Sequence, residues 1–381
     1  MAKVRNSILV LFFLIILSNQ LFSQGTNQEF EKFTVGEAKA LFTGIALAPD
    51  NNTLVISSHQ SFPTYSFDLG KREVRASYDV GNWYAGSKLR LSKNGKYLLL
   101  QQLYYIDLAL NKDREVNFEV FNTESKTSVL KLDEYHDVNI TPDEKFAVAL
   151  TNEEVSFWNL ETGKKDKSFP FTDATNSLDI SPDGKYIAIS HKASEDDLKA
   201  MYGNNKSAIK TAGKYKQMVS IFDANTLQKI ATVPELYDII YRLRFSEKGD
   251  FLFCYAIPHL KMQTATGNNR QGYLTRIHTS DWTQDRLILP SLSVYEPAFD
   301  VSPDEKLIAI SSNQKYPEVH VYDAETGTML DRFELSYRLF QKTDEGEFPT
   351  DGRSSFEFLP DSRSIVMVFG NRLLIWKLQV E

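Results

Sequence analysis

Eight charged residues stand out: Arg90, Asp179, Arg244, Asp300 and Glu357 each sit between apolar neighbours, and Lys88, Asp137 and Arg242 belong to short strands of the same kind. Arg90 is bracketed by Leu89 and Leu91, and Arg244 by Leu243 and Phe245. A charge in such surroundings has to be paired or hydrogen-bonded. Two chemistries fit the set. One is a ring of structural ion pairs, with Arg244 between Asp179 and Asp300. The other is a site for a small polar or charged ligand held by Lys88, Arg242 and Asp137. The mixed sign speaks against a dedicated anion or cation trap.

Other chemistry is harder to place. There is no Gly-x-Ser-x-Gly, hence no nucleophile elbow. His59, His136, His191, His259, His278 and His320 show no metal-ligand spacing, so no metal is expected. No dinucleotide or phosphate loop occurs, and no cofactor is expected. His59 and His191 fall near the ends of apolar runs and read as exposed polar residues. Cys254, in Phe251-Leu252-Phe253-Cys254-Tyr255, reads as buried and inert.

The elements that carry these residues are repeats. Ser181-Pro182-Asp183-Gly184-Lys185, Ser302-Pro303-Asp304-Glu305-Lys306 and Thr141-Pro142-Asp143-Glu144-Lys145 each lead into an apolar strand. Weaker copies begin at Ala48, Ser92, Ser246 and Leu359, which makes seven. Pro followed by Asp, Asn or Gly is reverse-turn chemistry, so each copy is a β-hairpin. Downstream of five hairpins an apolar strand ends in an aromatic and an Asp or Asn: Phe67-Asp68, Phe121-Asn122, Trp158-Asn159, Phe222-Asp223 and Tyr322-Asp323. A polar turn and a fourth strand follow. Four antiparallel strands, here a to d, repeating every 40–50 residues or so mean propeller blades.

The pattern resembles the WD40-like and YVTN-type seven-bladed propeller repeats. The resemblance implies an all-β ring, and commonly one closed by an N-terminal strand. Here Glu29–Val35 is expected to complete the blade of Leu373–Trp376. Aligning the seven a-strands puts Ala46, Arg90, Asn139, Asp179, Arg244, Asp300 and Glu357 at one level of a central channel. Gly44, Lys88, Asp137, Ser177, Arg242, Ala298 and Ser355 fall one level nearer the b-to-c and d-to-a connections. The long insertions, Tyr104–Arg114, Lys192–Lys216, Ile257–Arg270 and Glu334–Gly352, all belong to those connections and therefore to one face. Within Lys192–Lys216 a short helix is expected around Asp196–Met201. Tyr104, Tyr105, Tyr202 and His259 are the candidate contact residues on that face. The expectation is a binding scaffold for a protein, peptide or glycan. A propeller enzyme, lactonase-like or quinoprotein-like, with Asp137, Glu296, Arg242 and His136 at the channel mouth is the alternative.

Lys3 and Arg5 precede an unbroken apolar run, Ile8–Leu17, and a polar exit. That is the layout of a secretory signal peptide over residues 1–23, leaving one propeller domain over 24–381. The run covers about 15 Å as a helix, half of a bilayer core. No cysteine lies near its exit, so lipidation has no acceptor, and a secreted or periplasmic product without membrane insertion is expected. A formal charge of −7 offers no basic patch for nucleic acid.

Overall fold

The computed structural model describes residues 29–59, 61–103, 115–213, 216–237, 239–257, 272–291, 298–313, 317–335 and 354–380. The first strand, β1 (Phe30–Thr34), stands apart from those that follow it in the chain. Blade 1 comprises β2 (Phe42–Leu47), β3 (Thr53–Ser58), β4 (Thr64–Asp68) and β5 (Glu73–Tyr78). Blade 2 is β6 (Ser87–Leu91), β7 (Tyr97–Gln102), β8 (Val116–Asn122) and β9 (Thr127–Tyr135). Blade 3 is β10 (Asp137–Ile140), β11 (Phe146–Leu150), β12 (Glu154–Asn159) and β13 (Lys164–Pro170). Blade 4 is β14 (Ala174–Ile180), β15 (Tyr186–Lys192), β16 (Gln217–Asp223) and β17 (Lys229–Thr232). Blade 5 is β18 (Ile239–Phe245), β19 (Phe251–Ile257), β20 (Gly272–His278) and β21 (Gln284–Ser291). Blade 6 is β22 (Phe299–Val301), β23 (Leu307–Asn313), β24 (Pro317–Asp323) and β25 (Met329–Glu334). Blade 7 is β26 (Ser354–Phe358), β27 (Ser364–Phe369) and β28 (Arg372–Lys377), with β1 as its outer strand. The result is an all-β propeller of seven four-stranded antiparallel blades.

The turns explain the repeat. In the a-to-b turn of blade 4, Ser181 Oγ donates to Asp183 Oδ1 (2.7 Å) and accepts the Tyr186 N–H (2.9 Å). Ser302, Asp304 and Leu307 repeat that arrangement in blade 6, and Thr141, Asp143 and Phe146 in blade 3. One turn position has positive φ in every copy: Asn51, Gly95, Glu144, Gly184, Gly249, Glu305 and Ser362. Glycine fills it in three copies because it carries no Cβ penalty there, and the serine, asparagine and glutamates accept the strain. The aromatic–Asp/Asn pairs work in the same way. The aromatic packs inside the blade, as with Phe67, Phe121 and Tyr322. The acidic or amide side chain then takes the N–H groups of the c-to-d turn, as Asp323 does from Glu325 (3.1 Å) and Thr326 (2.6 Å).

Closure follows the expected pairing, with Phe30 opposite Trp376 and Phe33 opposite Leu373. Trp376 is fully buried, and the Phe30 ring meets Phe333 of blade 6 edge-on at 5.3 Å. The pairing covers what would be the free edge of β28. Elsewhere the outermost strand is polar, as in Lys164-Lys165-Asp166-Lys167 of β13, which discourages edge-to-edge pairing.

Apolar clusters lie between blades. Phe42 and Ile45 of β2 pack with Val366 and Val368 of β27, and Phe253 and Tyr255 of β19 pack with Ile308 and Ile310 of β23. These contacts fix the angle between neighbours and hold the inner strands around the axis. Among the described residues no helix is long and apolar enough to cross a membrane.

Candidate functional site

The inner strands β2, β6, β10, β14, β18, β22 and β26 surround a cavity of about 790 Å³. Its wall runs from the a-to-b turn prolines Pro49, Pro142, Pro182, Pro303 and Pro360 up to Lys88, Asn176, Arg242 and Ser355. All eight charged residues of the aligned levels line it. The cavity therefore reaches the short-turn face, opposite the long connections.

The polar side chains of both levels stitch neighbouring blades together. At the turn-side level, Asp179 Oδ2 accepts the Phe245 N–H (2.6 Å), Asp300 Oδ2 that of Phe358 (2.7 Å) and Glu357 Oε2 that of Leu47 (2.7 Å). At the other level, Asp137 Oδ2 accepts from Leu178 N–H (3.0 Å), Ser177 Oγ from Leu243 (2.9 Å) and Ser355 Oγ from Ile45 (3.2 Å). The rule is the same each time: the side chain of one blade takes the N–H that follows the equivalent position of the next. The inner strands of different blades share no ladder, so these acceptors satisfy N–H groups that would otherwise be orphaned.

The cations are distributed unevenly over these acceptors. Arg90 Nη2 donates to Asp137 Oδ1 (3.0 Å) and to the Val138 carbonyl (2.7 Å). Arg244 Nη1 pairs with Asp300 Oδ1 (2.5 Å). The expected bracket of Arg244 by two carboxylates is thus one direct pair: Asp179 spends its second oxygen on the Asn139 amide. Among the described residues the Arg242 guanidinium makes neither a hydrogen bond nor an ion pair. Burial and the nearby Arg90 cation pull its guanidinium down to about 10, against the attraction of Asp137 and Asp179. Burial opposes the Arg244 charge as well, but Asp300 and Glu357 outweigh it and raise its pKa. Burial also raises the Asp179 carboxyl. Burial and the adjacent Asp300 carboxylate push Glu357 up to about 8.

The blade 4 insertion folds as a helical hairpin, α1 (Glu195–Tyr202) and α2 (Lys206–Ala212). Ser194 caps α1 in a capping box with Asp197, and Leu198 is buried beneath it. Lys229 Nζ of the outer strand β17 donates to Asp197 Oδ1 (3.1 Å). The hairpin is tied to the outer strand of its blade. Tyr202, at the C-terminal end of α1, is 39% exposed. Tyr104, Tyr105, His259 and Glu296 lie outside the described residues, as do residues 1–28 with the expected leader.

Two histidines differ from expectation. His191 is buried, its Nδ1 at 2.7 Å from the Lys192 carbonyl and its Nε2 at 2.7 Å from Ser220 Oγ; burial depresses its pKa and favours the neutral ring. His59 is half-buried and its Nδ1 accepts the Leu41 N–H (3.0 Å). Both act as local hydrogen-bonding groups. Cys254 is fully buried and burial raises its thiol pKa, which leaves it unreactive. Among the described residues no three His, Cys, Asp or Glu side chains form a group that could hold a metal.

The sequence alignment found the two levels but not the roles of Ser177 and Ser355. The available signal was their place at the position where Asp137 stands in blade 3.

No family model matches the chain, and no curated protein does. Among solved structures, a chain of Kuenenia stuttgartiensis hydrazine synthase superposes with a TM-score of 0.61 over 94% of this chain and 99% of that one, at 14% identity. Because 1515 solved chains match, the architecture is too widely shared to select a function. What the strand order and the likeness establish together is that this chain is a seven-bladed β-propeller.

Proposed function

We propose that this chain is an exported binding propeller of the WD40-like or YVTN-type kind, engaging a protein, peptide or glycan through the face of its b-to-c and d-to-a connections. One observation carries the reading. The strand ends that flank the connections from Gln102 to Val116, Lys192 to Gln217, Ile257 to Gly272 and Glu334 to Ser354 all lie on that face by strand order, while the a-to-b turns are short. Long connections supply contact area, and an ordinary interface needs about 800 Å² per partner. The exposed Tyr202 fits such a surface, since a tyrosine pairs an apolar body with a polar tip.

The test is partner capture from the exported fraction, with the partner then identified and its binding measured. Tyr104→Ala, Tyr105→Ala, Tyr202→Ala or His259→Ala should weaken binding about thirtyfold or more where the residue is an anchor, about 2 kcal/mol at an interface centre. Lys145→Ala, Lys185→Ala and Lys306→Ala on the turn face should leave it unchanged. The reverse pattern sinks the reading. For export, mass spectrometry should find a mature N-terminus between Gln20 and Thr26.

An enzyme with its site in the channel is the second reading. The raised Glu357 carboxyl in the cavity wall favours it, because a carboxyl perturbed by burial and a neighbouring charge is a usual mark of an acid–base site. Against it, an oxygen of that carboxyl is already committed to a backbone N–H.

A further inference from the structure

We propose that the channel holds a small oxyanion, a carboxylate or a phosphate, on the guanidinium groups of Arg242 and Arg90. The argument begins with what is left over after the stitching. Asp137, Asp179, Asp300 and Glu357 each give an oxygen to a backbone N–H of the neighbouring blade. Asp137 and Asp300 also take the Arg90 and Arg244 cations. The acids are therefore part of the frame, and the mixed sign of the sequence set does not describe the free chemistry of the cavity.

The donors, by contrast, are in excess. Both bonds of Arg90 use Nη2, and that of Arg244 uses Nη1. A guanidinium offers five N–H donors in a planar fork, so most of them are uncommitted. Arg242 has all of its donors unused among the described residues. The Arg90 and Arg244 cations lie near enough to disfavour its charge, an arrangement that raises the energy of the empty cavity.

An anion between these groups removes the repulsion and takes the free donors. Planar forks favour a two-oxygen face, which carboxylates and phosphates both present. The cavity volume lies within the range of small-molecule pockets. This site is independent of any partner on the long-connection face.

The test is thermal unfolding of the full chain with sodium phosphate or sodium citrate, against sodium chloride at matched ionic strength. Each probe at roughly ten times its Kd should raise Tm by about 2 °C over the chloride control. Arg242→Gln should lose that shift, and Arg242→Lys should keep part of it. In dilute buffer without either probe, Arg242→Gln should melt at or above the parent, because it deletes a repelled cation; a group serving only the frame would melt lower. If Arg242→Gln does not fold, broadening of the ³¹P line of inorganic phosphate by the parent, and its reduction in Arg242→Lys, carries the test. Equal shifts in parent and Arg242→Gln, or no shift in the parent with either probe, overturn the proposal.

Discussion

The Asp179 carboxylate of blade 4 accepts the backbone N–H of Phe245 in blade 5 at 2.6 Å. A side chain thus does between blades what the ladder does within one. Its second oxygen takes the Asn139 amide of blade 3, so one carboxyl ties three consecutive blades.

Asp300→Ala should be among the costly single changes in the channel. It orphans the Phe358 N–H and leaves the Arg244 cation without its partner. Breaking a buried pair from one side costs about 3 kcal/mol or more. Asp300→Asn keeps an acceptor for Phe358 and should lose less. Urea unfolding of the two variants checks the order.

Glu357 gives the fold a pH dependence of definite sign. The folded chain holds this proton up to about 8, whereas an unfolded glutamate releases it near 4.5. Its contribution to stability is fully present below about 4.5 and is lost as pH rises through about 8. Glu357→Gln keeps an acceptor for the Leu47 N–H and cannot titrate. Melting temperatures taken from about pH 5 to about pH 9 should fall less steeply in the variant than in the parent. A steeper fall in the variant contradicts the assignment.

Gly44 is required by a close approach. A Cβ there would lie 2.5 Å from the Ser87 carbonyl oxygen and 2.8 Å from Ser57 Oγ. Blade 1 has only Gly44 and Ala46 at its channel levels, and it is joined to blade 2 by hydroxyls instead: Ser57 Oγ and Thr43 Oγ1 donate to the Ser87 carbonyl at 2.7 and 3.1 Å. Gly44→Ala should push the two strands apart and cost about 2 kcal/mol, the scale of overpacking. A denaturation midpoint unchanged from the parent contradicts this.

Removing residues through Val35 should expose β28 and empty the contacts of Phe30 with Phe333 and of Phe33 against the blade 1 and 7 cluster. A loss of about 3 kcal/mol or more is expected, since two buried-face contacts go with a whole ladder. Calorimetry of the truncated chain gives the answer.

Most of the architecture was legible because the turns are chemical signatures. Pro-Asp turns open five of the seven hairpins and aromatic–Asp/Asn pairs follow five, and the distances between them fix the strands. The channel levels could be aligned for the same reason, since they sit two and four residues before a turn. Pairing between levels was not legible: whether Arg244 meets Asp179 or Asp300 depends on the stagger of inner strands around the axis, which no local pattern encodes. The burial of His191 escaped for a related reason, because Ser220, its partner, lies across an insertion. The docking of α1 on Lys229 depends on the same tertiary geometry.

The shared seventh sheet also orders events in time. β1 leaves the ribosome first among the strands, yet its partner lies far down the chain: Lys377 and Glu29, which form an ion pair, are 348 positions apart. Blades 1 to 6 can each assemble from contiguous chain, while β1 waits as an unsatisfied edge. The seam therefore serves as a check on integrity. A nascent or clipped polypeptide lacking either strand keeps an open rim that chaperones and proteases can recognise, and only a chain holding both strands conceals it.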